Sequence, residues 1–228
     1  MSILQNLPSI VAAIGGLGTA AFGLVDSTKV FRGGVNRIGF SRIEKTVRTL
    51  TPGAAASGLT QGRIVGTLRA NWYNGKDLGS QKSVAKTLVK LGLNPGSAAG
   101  LAAATGVDAQ KLQSAAAKIA SGKPLEQDES DVYSRFDLVL TALLDEAYQD
   151  SDQAYVNGTR FTALLFALAL AFIGGWTLKG GSLRGYWWSK EMAEALVAGL
   201  LATPLAPVAK DLSSALASAV NTLQVIRK

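Results

Sequence analysis

The residue types behind most enzyme chemistry are missing or scattered in this sequence. Its 228 residues include no Cys and no His. Thiol nucleophiles, zinc–thiolate sites and iron–sulfur clusters are thereby excluded, as are a Ser-His-Asp triad and histidine-held metal or haem. Carboxylates remain as acid–base groups and metal ligands. They gather in one run: Glu126, Gln127, Asp128, Glu129, Ser130 and Asp131. The run lacks the turn glycine and the ligand pattern of a calcium loop. It reads as a solvated, acid-rich helix N-terminus, where the helix dipole favours negative charge. The Gly-rich stretches at 14–18 and 33–34 lack the Lys-Ser/Thr that completes a phosphate loop. No catalytic residue, cofactor or metal site is assigned, and the chain is expected not to be an enzyme.

One spacing points to different chemistry. Ala102, Gly106, Val107 and Leu112 fall where a helix-turn-helix places its small residue, turn glycine and apolar positions. The second helix would present Asp108, Gln110, Lys111 and Ser114. Phosphate binding needs several cations, and that face has one lysine. A plain helical hairpin with a glycine turn accounts for the pattern better. Nucleic acid is therefore not an expected partner, although the net charge is +7.

The elements that carry these residues are strongly apolar in three places. Residues are 48% hydrophobic and only 17% charged, against about 25% charged in an ordinary soluble domain. Segment 161–178 holds no charge and is bracketed by Arg160 and Lys179; as a helix it covers about 27 Å, close to a bilayer core. Segment 7–25 is uncharged and Gly/Ala-rich. Gly15 with Thr19, or Gly16 with Ala20, would let a second helix approach closely in lipid. Residues 1–25 lack the Lys or Arg that a signal peptide carries. Segment 195–209 is shorter and holds Pro204 and Pro207; it reads as a span that borrows flanking residues, with a kinked or re-entrant helix as the alternative.

Basic residues set the expected orientation. Lys29, Arg32, Arg37, Arg42, Lys45 and Arg48 follow the first segment and none precedes it. They form a candidate basic patch against anionic headgroups. The loop between the second and third segments holds Trp187 and Trp188 beside Tyr186, which join Trp176 as candidate interfacial aromatics. The N-terminus is expected outside, with the central region and the C-terminus in the cytoplasm.

The fold class is expected to be all-α: an integral membrane protein with about three transmembrane helices and a helical cytoplasmic domain. Residues 1–28 form the N-terminal anchor and 29–127 the cytoplasmic domain. Residues 128–178 form a long helix that becomes the second span, and 179–228 hold the outer loop, third span and an amphipathic tail. Within the domain, helices are expected over about 58–73 and 80–91, the second with Val84, Leu88 and Leu91 inward. A short helix capped by Ser97 and another capped by Asp108 follow. Acidic residues Asp145, Glu146, Asp150 and Asp152 are expected to face the basic stretch 32–48. In the tail, Leu212, Leu216, Ala219, Leu223 and Ile226 recur at spacings of 4, 3, 4 and 3, a packing seam two heptads long.

The expected function is a non-enzymatic anchor, scaffold or accessory subunit that assembles a complex at the cytoplasmic face of a bacterial-type membrane. The expected partners are membrane lipids and protein, or further copies of the chain, through the membrane helices and the C-terminal helix. A homo-oligomeric, holin-like pore is the alternative, and a membrane-tethered nucleic-acid binder a second one. No ionisable group interrupts the three apolar segments, which argues against a pump.

Overall fold

The computed structural model describes residues 3–31, 33–51, 59–180 and 182–226, with backbone alone for 3–8, 210 and 212–226. The chain is 82% helix, and no strand occurs among the described residues. The helices are α1 (Ile3–Thr28), α2 (Asn36–Leu50), α3 (Gln61–Tyr73), α4 (Leu78–Leu91), α5 (Ala98–Thr105), α6 (Ala109–Ala120), α7 (Gln127–Lys179), α8 (Leu183–Tyr186) and α9 (Lys190–Ile226). Two compact units divide them: residues 36–155, and residues 1–35 together with 156–228. The helix α7 contributes to both.

The unit 36–155 is organised by local stop signals. Asp77 and Asp108 each cap a helix, their carboxylates accepting from the backbone N–H of Ser80 and Lys111 at 2.8 Å. Thr60 does the same for Arg63 at 3.3 Å. Such caps satisfy donors that the helix itself leaves open. Gly106 closes α5 in the left-handed region, at φ 69°, where a residue with a Cβ would be strained. Ser97 does not cap α5 as the sequence suggests. Asn94 closes the turn that precedes α5, its Oδ1 accepting from the N–H groups of Gly96 and Ser97 at 2.8 and 3.1 Å. The Ser97 hydroxyl donates instead to the carbonyl of Gly92 at 2.7 Å.

Large side chains fill the core of this unit. Ile43, Val47 and Leu50 of α2 meet Leu68 and Trp72 of α3, and Phe136, Leu140, Leu144 and Tyr148 of α7. Burying each large side chain contributes about 1.5–3 kcal/mol. On α4 the expected Val84 and Leu88 pack against the core from its edge. Gln81, Ala85 and Val89 face inward, and Leu91 is 57% exposed. Three lysines of α4 reach acids on α7: Lys82 pairs with Asp145, and Lys86 and Lys90 share Asp137 at 2.7 and 3.0 Å.

The other unit is built on small residues. Its buried cluster is Ala21 of α1, Ala167 of α7 and Ala202 of α9. A Cβ on Gly18 would overlap the Ala202 carbonyl, and one on Gly15 would overlap Ala209. Such closeness brings Cα–H groups against carbonyl oxygens and gains dispersion along the seam. The face α1 uses runs through Gly15, Gly18 and Ala21; Gly16 and Ala20 are exposed. Gly199 of α9 likewise admits Leu168 of α7, whose Cα would lie 3.0 Å from an added Cβ. Ser9–Thr28, α7 and Lys190–Ala209 are each long and apolar enough to cross a membrane.

Candidate functional site

In the unit 36–155, charged side chains are set by the helices that carry them, and most are engaged. Of the expected basic patch, Arg42 donates to Asp150 at 2.6 Å. Arg48 donates to Glu44 at 2.8 Å and to Gln61 at 3.1 Å. Arg37 and Lys45 are exposed. In the other unit, Lys29 pairs with Asp26 at 2.7 Å. Arg32 lies outside the described residues. The acids of α7 therefore meet the basic stretch at Asp150, whereas Asp145 turns to Lys82 of α4.

The acidic run at the start of α7 is not simply solvated. Glu129 is 6% exposed. Its carboxylate accepts from Lys118 Nζ at 2.8 Å and from Ser114 Oγ, and reaches back to the Glu126 backbone N–H at 2.8 Å. That last bond is half of a capping box. The Lys118 hydrogen bond, followed by those from Ser114 and Glu126, holds the Glu129 carboxyl at about 2. Lys111 pairs with Asp128 at 2.7 Å, so both lysines on α6 are tied to α7, including the one on the helix-turn-helix face. Leu112 and Ala102 are core residues of the α5–α6 hairpin. Among the described residues, no group of three or more acids is placed to hold a metal ion.

Asp137 shows two opposed effects. Burial pushes its carboxyl up, and hydrogen bonds from Lys86 and Lys90 outweigh that and hold it below the usual range. Tyr148, fully buried, has its phenol pushed up by burial alone.

A groove of about 480 Å³ opens between α2 and α7. Arg42, Lys45, Thr46 and Thr49 form its α2 wall, and Glu146 and Asp150 its α7 wall. Leu50, Leu143 and Ala147 line it with Ala104 of α5. The two helices run antiparallel here, since Gly39 lies against Ser151 and Tyr155 while Arg42 meets Asp150. Sequence reasoning missed this groove. Its signal was the pairing of a basic helix with the acids around 146–150, but no spacing shows which charges stay unpaired.

In the unit 1–35 with 156–228, the aromatics expected at an interface divide. Trp188 is 90% exposed and Trp187 half exposed, and Trp176 is partly buried. Tyr186 is fully buried, which corrects its assignment as an interface residue. Its ring meets Phe172 edge-on at 5.2 Å, and its hydroxyl occupies the notch left by Gly175. Lys179 and Glu191 join the α7 and α9 ends at 2.9 Å. The seam residues Leu212, Leu216, Ala219, Leu223 and Ile226 lie on the α9 backbone, but their side chains lie outside the described residues.

No family model, no curated protein and no solved structure matches this chain.

Proposed function

We propose that this chain is a non-enzymatic integral membrane protein that anchors and assembles a larger complex at the cytoplasmic face of a bacterial-type membrane. The observation that carries the reading is the division of labour along α7. One uninterrupted helix supplies the core of a large-residue helical unit and then the Ala face of an apolar unit. A helical unit with its own core, joined to helices apolar enough to span, suits an anchor that presents a folded surface. The distribution of Lys and Arg favours an N-terminus outside, with residues 36–155 and the C-terminus in the cytoplasm.

Gentle detergent extraction at native expression, followed by native mass and subunit analysis, tests this. A heteromeric complex supports the anchor. A homo-oligomer with ion conductance in liposomes would replace it with the pore reading, which the Gly- and Ala-lined helix faces also suit. The absence of native Cys makes orientation direct to read. In intact cells, an impermeant maleimide should label Ser182→Cys and spare Ser41→Cys; the reverse pattern would invert the topology.

A further inference from the structure

The α2–α7 groove has an open rung. At one end Arg42 and Asp150 close it with an ion pair. About one turn along, Lys45 on one wall and Glu146 on the other both line the cavity, yet neither makes an ion pair among the described residues. Beyond them the lining turns apolar, with Leu50, Leu143 and Ala104. The charges that line the groove sum to zero, two basic and two acidic. A ligand with a single charge would meet its opposite on one wall and a like charge on the other. A ligand with both charges and a hydrocarbon end satisfies all three regions. The volume of about 480 Å³ lies within the range of small-molecule sites.

We propose that this groove binds a small zwitterion, an α-amino acid with an apolar side chain. Its carboxylate meets the Lys45 ammonium, its ammonium meets the Glu146 carboxylate, and its side chain lies toward Leu50, Leu143 and Ala104. The site is independent of whether the protein anchors a complex or forms a pore.

The test is equilibrium binding of radiolabelled L-leucine to the full chain in lipid nanodiscs. Unlabelled L-leucine, N-acetyl-L-leucine, L-leucinamide and glycine serve as competitors. Saturable binding of one leucine per chain is expected. The acetylated analogue lacks the cation and the amide lacks the anion, so each should compete about tenfold more weakly. Glycine, which leaves the apolar end unfilled, should also compete more weakly. Lys45→Gln should erase the preference for leucine over leucinamide, and Glu146→Gln the preference over N-acetyl-leucine. Both side chains are exposed, so helicity by circular dichroism should not change. No saturable binding at millimolar leucine would overturn the proposal. So would equal competition by leucine and both single-charge analogues, or unchanged leucine binding in both variants.

Discussion

The two units of this chain solve packing in opposite ways. In residues 36–155, Phe136, Trp72, Ile43 and Tyr148 point inward and most lysines and carboxylates lie at the surface. In residues 1–35 with 156–228, alanines and glycines meet in the middle. There the large side chains Phe161, Leu165, Ile173, Val197 and Leu200 are exposed. The difference teaches what each unit is stabilised against. Removing large apolar groups from water drives the first kind of core. Where the surroundings are as apolar as the interior, that drive vanishes, and close backbone approach between small residues takes its place. The second unit is inside-out by the standard of the first, which fits helices apolar enough to cross a membrane.

Substitutions can break the contrast from either side. The largest effect is expected in the large-residue core. Phe136→Ala, which removes a fully buried ring, should destabilise that unit by about 3–5 kcal/mol, read from chemical denaturation of the full chain in nanodiscs. In the other unit, enlarging a residue should do the damage that shrinking does in the first. Gly18→Leu drives a side chain into the Ala202 backbone, at a cost of about 3 kcal/mol. Gly16→Leu, at a position that faces open space, should be near neutral. If both leucine variants lower the melting temperature equally, the glycine seam is not what holds α1 to α9.

The third prediction concerns pH. Glu129 is held at about 2 in the folded chain, against an ordinary value of 4.5. The unfolded chain therefore binds the proton more readily, and the contribution of Glu129 is complete above about 4.5. It is lost as pH falls from there toward 2. Glu129→Gln should flatten the acid limb of the stability profile in that window and leave the profile unchanged near neutrality apart from a uniform offset. The smallest effect is expected at Arg42→Ala. Its ion pair with Asp150 is about half exposed on both sides, so its loss should cost less than about 1 kcal/mol.

Much of the helical layout was legible because its signals are local. Asp108 with Gly106, Asn74-Gly75 and the long stretch of α7 without proline each act within a few residues. The facing of helices was less legible. The helix α4 has two stripes, Val84–Leu88–Leu91 and Lys82–Lys86–Lys90, and apolar spacing alone favours the first. Asp137 and Asp145, some fifty residues away, engage the lysine stripe, and Val84 and Leu88 pack on the core while Leu91 is exposed. Glu129 was hidden for the same reason: its partners Lys118 and Ser114 lie on another helix. Tyr186 sits in an aromatic triplet that suits a headgroup region, and only Gly175 on α7 reveals the notch its hydroxyl fills. Long-range partners decide each of these cases, and one sequence does not display them.

The seam between α1 and α9 also has a timetable. Gly15 and Gly18 find their partners, Ala209 and Ala202, only after the rest of the chain between them has been made. At about 5–20 residues per second, the roughly 190 residues of separation take on the order of 10–40 s to synthesise. Through that interval the notch at Gly18 lacks the Ala202 backbone that fills it in the folded chain. The arrival of α9 then closes the seam as a clasp would.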